Sequence, residues 1–233
     1  MNTKASILIT AMLFILTGSI AQKSSVDPLF DEGVVINGIK WATRNVDAPG
    51  TFTANPEDFG MFYQWNSNVG WSASDPLTPS DSTSTWNSEW NKRNPDGSIN
   101  KSQKWQTTNN VCPAGWRIPS KQELEKLVAA GSVWATVNGI NGRLFGSGDN
   151  TIFLPAADCR MLSDGSRPMY IKDGALPRMG SYWSRTPNIE FDNYLYALFF
   201  YYSYALNFGN TGVLSFSGVD KHSWGYSVRC VTE

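Results

Sequence analysis

The alternation of apolar and polar positions along the chain predicts many short strands and one well-marked helix. Near the start, Val34-Val35-Ile36 and Ile39-Lys40-Trp41 flank Asn37-Gly38. Two residues that tolerate positive φ between short apolar runs form a strong hairpin signal, so a β-hairpin is expected over 34–41. In "NNVCPAGWRIPSKQELEKL", Asn109 to Leu127, Ser120 followed three residues later by Glu123 makes a capping box. Pro119 disfavours helical geometry in the residue before it. Leu124, Leu127 and Val128 fall on one face, and Gly131 suits the left-handed closing position, which predicts a helix over roughly 121–130. The remainder reads as strands and loops. "TIFLPA", "GSYWSRT", "NYLYALFF" and the closing "GYSVRCV" have strand character, and in the last of these Tyr226, Val228 and Cys230 share a side by period 2. The aromatic run "DFGMFYQWN", Asp58 to Asn66, reads as core.

Between Ser67 and Asn110 the composition turns to Ser, Thr, Asn, Asp and Pro, yet Trp71, Trp86, Trp90 and Trp105 remain. A long irregular stretch inside a compact domain is functional or mobile. Each tryptophan can bury roughly 150–250 Å², so these rings are expected to tether the insertion at about 67–110, with stacking on sugar rings as the functional alternative. At the N-terminus, Lys4, an apolar run from Ile7 to Leu16 and the small residues Ser19 and Ala21 read as a secretory signal over 1–21, cut after Ala21. The run is shorter than the roughly 20 residues a membrane span requires. Residues 22–33 then read as a short linker and 34–233 as one domain, free of a membrane span once mature. The expected location is outside the cytoplasm: periplasmic, attached at the cell surface, or secreted.

Composition narrows the function classes. The chain carries 19 basic and 20 acidic residues, a balance that disfavours nucleic-acid or anionic-membrane binding, which calls for a basic stripe. Charged residues make up only 17% against 13% aromatics, with ten tryptophans, as suits a folded extracellular module. Three cysteines, Cys112, Cys159 and Cys230, allow one disulfide and one thiol, and spacing alone leaves three pairings open. The single histidine, His222 in "VDKHSWGYS", reads as a surface histidine in a loop. It has no sequence partners for nucleophilic or zinc chemistry. No catalytic residue, cofactor or metal site is therefore expected.

The motifs "INGIKWATRNV", "FGMFYQWN", "CPAGWRIPSKQELEKL", "NGINGRLF", "IFLPAADCR", "GSYWSRT" and "GYSVRCV" occur in an order that resembles the Fibrobacter succinogenes major paralogous domain family. The likeness covers about Gly33 to Glu233. It implies an α+β, C-type-lectin-like fold related to formylglycine-generating enzymes, with one main helix and mixed short antiparallel strands. The hairpin at 34–41, the helix and the strand at 226–231 would then pack around one core. The resemblance also implies a disulfide between Cys112 and Cys230, leaving Cys159 as a buried thiol. The formylglycine-generating branch places paired cysteines in the region of Gly180 to Pro187, where this chain has none. The calcium-holding tripeptides of sugar-binding C-type lectins are also absent, Thr186-Pro187-Asn188 and Trp65-Asn66-Ser67 being partial matches.

From Phe191 to Tyr226 twelve aromatic residues are interleaved with Ser, Asn, Gly and Asp. Such mixtures favour adaptable recognition, because tyrosine offers a large rigid surface with a polar tip. Together with the family topology, which sets the loops before the final strand on a stapled base, this places the ligand-binding face on Tyr201, Tyr202, Tyr204, Asn207, Asn210, Asp220, His222 and Trp224. Leu198 to Phe200 read as core. The expected function is an exported, non-enzymatic binding or adhesion module for an unidentified extracellular glycan or protein. The alternatives are a formylglycine-generating-enzyme-like catalyst and a recognition protein diversified by retroelements.

Overall fold

The computed structural model describes residues 26–90, 104–168, 179–188, 202–216 and 220–233. In chain order the strands are β1 Val34–Ile36, β2 Ile39–Asn45, β3 Phe62–Tyr63, β4 Gly70–Trp71 and β5 Trp116–Arg117. Helix α1, Lys121–Ala129, follows, and then β6 Ser132–Val137, β7 Ile140–Ser147 and β8 Asn150–Pro155. The chain continues through β9 Met179–Asn188, β10 Tyr202–Gly209, β11 Gly212–Phe216, β12 Asp220–Lys221 and β13 Arg229–Thr232. The class is α+β, mostly strand with one α-helix among the described residues.

Local chemistry explains the first turn: Asn37 and Gly38 take φ of 48° and 76°, the positive values a two-residue hairpin demands. The same Asn-Gly signal at 138–139, which forms no part of the expectations above, joins β6 to β7 with φ of 48° and 82°. Helix α1 begins as its residues dictate. Ser120 Oγ accepts from the Glu123 amide and the Glu123 carboxylate accepts from the Ser120 amide. Gly131, at φ 83°, follows the last turn.

The closing strand is central. The first sheet runs β1-β2-β13-β5, with Val231 of β13 opposite both Trp41 and Arg117. A second sheet, β6-β7-β8, is a meander, and a third joins β9, β10, β11 and β12. Period 2 divides the shared strands cleanly between two apolar clusters. Ala42, Trp183, Ala205, Val228 and Cys230 enter one, together with Tyr63, Trp65, Trp105, Cys112 and Trp116. Their neighbours Trp41, Tyr182, Leu206 and Val231 enter the other, with Ile36, Leu124, Leu127, Phe145 and Phe208. The expectation of one core is thus corrected. The hairpin, the helix and Val231 do meet in a single cluster, but the same strands bury their opposite faces in a second, tryptophan-rich one.

Cys112 and Cys230 form a disulfide across 118 residues of sequence. Cys159 forms no disulfide and is half-buried against the tryptophan-rich cluster, not fully enclosed as expected. Residues 26–33, expected as linker, are bonded into the domain. Buried Asp31 accepts from the Thr43 amide and hydroxyl and pairs with Arg44 Nε at 3.2 Å, while the Phe52 amide donates to the Pro28 carbonyl at 2.7 Å. Within the insertion, the tryptophans do tether the chain. Trp71 and Trp105 are buried, Trp86 Nε1 donates to the Leu162 carbonyl, and Trp90 Nε1 donates to the Trp65 carbonyl at 2.8 Å. The signal at 1–21, the "NYLYALFF" strand and the core assignment of Leu198 to Phe200 lie outside the described residues. Among those described, no helix is long and apolar enough to cross a membrane.

Candidate binding face

Strands β9 and β10 run antiparallel, but their register breaks. Ser203 pairs with Pro187 and Ala205 with Trp183, so β9 bulges through Ser184, Arg185 and Thr186 opposite Tyr204. Bulges of this kind re-aim side chains beside functional surfaces. The bulge is anchored rather than loose. The Arg185 amide donates to the Pro119 carbonyl at 2.8 Å, Thr186 Oγ1 accepts from the Lys121 amide at 3.0 Å, and Trp65 Nε1 donates to the Ser184 carbonyl at 2.9 Å. The start of α1 and the bulge therefore form one rigid rim.

On that rim Tyr204 is half-buried. Lys121 Nζ sits 4.7 Å from its ring centroid, and the Tyr204 hydroxyl donates to Asn188 Oδ1 at 3.3 Å. Beside it opens a cleft of about 580 Å³ lined by Lys104, Trp105, Thr107, Ser120, Arg185, Thr186 and Pro187. Below the rim, burial pushes the Glu123 carboxyl up, but hydrogen bonds from Arg117 and Ser120 outweigh it and hold the group down at about 2. Arg117 grips both carboxylate oxygens, at 2.8 and 2.6 Å. This fixes the helix start under the cleft.

The expected face is only partly assembled here. Tyr204 lies at the rim, and Asn210 is exposed in the turn after β10. Tyr202 and Asp220 take backbone places in β10 and β12, and Tyr201 lies outside the described residues. Trp224 is half-buried against the tryptophan-rich cluster. Two residues are corrected. Asn207 is buried, and His222, expected at the surface, is 3% exposed. Its ring stacks on Trp65 at 4.2 Å and its Nε2 shares a hydrogen bond of 2.7 Å with Ser203 Oγ. The physical reason is that Trp65 supplies an aromatic face for the ring and Ser203 of β10 a hydroxyl for its nitrogen. A serine bonded to a histidine is also the arrangement that activates a nucleophile. Here Ser203 is fully enclosed, so no substrate reaches its oxygen in this conformation.

The cleft was not expected from the sequence: "GSYWSRT" read as a strand, and Thr186-Pro187-Asn188 as a partial match to a calcium-holding tripeptide. The proline after a Ser-Arg-Thr run was the available signal, since proline within a strand points to an edge or a bulge. A second cavity, of about 450 Å³, is lined by Asp47, Asp58, Phe59, Gly60, Ser74 and Arg167 among others. Burial, with the nearby charge of Asp58, raises the Asp47 carboxyl. Among the described residues, the buried Nε and Nη2 of Arg167 meet no acceptor. Among the described residues no group of three or more His, Cys, Asp and Glu side chains is placed to hold a metal ion. No protein-family model, curated protein or solved structure matches the chain.

Proposed function

We propose that the chain is an exported, non-enzymatic binding module of C-type-lectin-like fold, related to the Fibrobacter succinogenes major paralogous domains, that recognises an extracellular glycan or protein. The observation that carries the reading is the rim around Tyr204. There an aromatic ring, a cation and an amide adjoin a cleft of about 580 Å³, within the size range of small-molecule sites. The rim rests on a capped helix and on strands stapled by the Cys112–Cys230 bridge, a rigid base of the kind on which recognition loops are set. The disulfide and the absence of a membrane-crossing helix among the described residues are compatible with export. The order of motifs from Gly33 to Glu233 supports the family relation.

The test is an array of glycans and secreted proteins probed with the mature chain, followed by titration of any hit with Tyr204→Ala and Trp224→Ala proteins. Truncating an anchoring aromatic is expected to weaken binding by about 2 kcal/mol or more. Binding that is unchanged in both well-folded variants would move the site away from this face.

A further inference from the structure

The cleft's own chemistry narrows the ligand, an inference that rests on the binding reading above. We infer that the cleft takes an acidic oligosaccharide, one carrying carboxylate groups, with Arg185 as its principal anion-binding side chain. Among the described residues lining the cleft, the ionisable side chains are those of Lys104 and Arg185, both basic and both exposed. Both acids of the first helical turns are engaged, Glu123 by Arg117 and Ser120 and Glu125 by Lys121. Arg185 makes no ion pair among the described residues, so its guanidinium fork stays available for a carboxylate, which it can grip with two parallel hydrogen bonds. The bulge in β9 is what turns this side chain outward, since its neighbours Trp183 and Ser184 are buried. Lys121, whose Nζ lies over Tyr204, is paired with Glu125 at 3.0 Å, which leaves Arg185 as the principal cation of the proposed site.

Shape separates a saccharide from a bare anion. Trp105 and Pro187 give the cleft apolar surface, Thr107 contributes an exposed hydroxyl, and about 580 Å³ is far more than a small inorganic ion needs. An acidic oligosaccharide presents the matching set of ring faces, hydroxyls and spaced negative charges.

The experiment is calorimetric titration of the full mature chain with tri-galacturonate, with cellotriose as the neutral comparison. Saturable binding of tri-galacturonate at least 10-fold tighter than cellotriose is expected, weakening several-fold between 50 and 300 mM salt because exposed charges are screened (roughly 10 Å Debye length at 0.1 M). Arg185→Ala should lose about 10-fold, Arg185→Lys less, and neither should shift the melting temperature, since the side chain is exposed. Equal affinity for the neutral sugar, salt-independent binding, an unaffected Arg185→Ala protein, or no tri-galacturonate binding would each overturn the inference. The wild-type comparisons decide the matter even if the variant is poorly behaved. A Tyr204-dependent neutral or protein ligand from the array would leave the binding face standing while removing its acidic ligand.

Discussion

The helix side and the tryptophan side of the same strands are built on different physics. On the helix side Leu124, Leu127, Phe145, Ile152, Leu154 and Phe208 interlock, and the buried Trp41 indole N–H meets no acceptor among the described residues. That layer coheres by excluded water and close packing. On the other side the rings are also fasteners. Trp183 Nε1 donates to the Tyr63 carbonyl at 2.6 Å, Trp65 to Ser184, Trp90 to Trp65, Trp105 to Asn109 and Trp86 to Leu162. Among the described residues the buried Trp71 N–H meets no acceptor. Indoles thus do two tasks where long turns must be held. They bury large area, and their N–H groups bond backbone carbonyls along the turns. A layer of loops can be as fixed as a layer of strands when rings supply the donors.

The largest expected effect comes from the staple, which belongs to the tryptophan side. Replacing Cys112 and Cys230 together by alanine should cost up to about 4–5 kcal/mol by the chain-entropy estimate for a closed loop of this length. Denaturant unfolding followed by tryptophan fluorescence and by amide exchange on α1 would read both layers. If α1 keeps its protection while the fluorescence is lost, the two layers are separable, and the comparison becomes one of independent units. A smaller effect isolates the fasteners. Trp183→Phe removes one of the two donors to the Tyr63 carbonyl, which keeps the Tyr226 amide at 3.1 Å, and trims the buried ring; together these should cost about 1–3 kcal/mol. Leu127→Met on the helix side should cost under about 1.5 kcal/mol. Equal costs from chemical denaturation would mean that the indole bonds add little.

The two sides should also answer acid with opposite signs. Glu123, at the helix start, has its carboxyl held at about 2 against an ordinary value near 4.5. Its ionised form stabilises the fold at all pH above that ordinary value. The contribution is lost as pH falls from about 4.5 through about 2, and Glu123→Gln should flatten this limb and cost about 1–2 kcal/mol at neutral pH. Asp47 is raised, chiefly by burial and then by Asp58. Its contribution is fully present below its ordinary value of 3.8 and is lost as pH rises through the raised folded value. Asp47→Asn should therefore gain a few tenths of a kcal/mol at pH 7, the smallest change expected here. Unfolding curves at stepped pH check both, and a destabilised Asp47→Asn protein would show that its carboxylate does structural work at neutral pH.

Much of this was legible where a local rule determines the backbone. Asn37-Gly38, the Ser120–Glu123 box and the alternation of Val228 and Cys230 each depend on residues within a few positions of one another, and each appears as read. The disulfide came from family resemblance, because spacing cannot select a pairing. His222 and Asn207 were misplaced for a physical reason: their burial is decided by Trp65, Ser203 and the β9 register, all distant in sequence. The same holds for the fully buried guanidiniums. Arg160 bonds the carbonyls of Ser72, Ser74 and Gly165, and Arg229 those of Ala42 and Phe153. A charged residue reads as surface until the carbonyls that satisfy it are known. Pro187 pointed to an irregularity in its strand, but where the cleft opens depends on the register of two strands, which one strand's pattern does not set.

The central place of β13 also sets an order of events during biogenesis. Arg229 Nε bonds Asn45 Oδ1, and the Val46 amide bonds the Val228 carbonyl, so the first sheet cannot close until the last described strand has been delivered. Until then Cys112 waits with its thiol open. Cys159 lies between the two native partners in sequence, so each can meet it over a shorter stretch of chain than it needs to meet the other, and shorter loops close at lower entropic cost. Oxidation that outruns the arrival of Cys230 therefore favours the wrong bridge, and a high native yield calls for slow oxidation or a thiol catalyst able to reopen it.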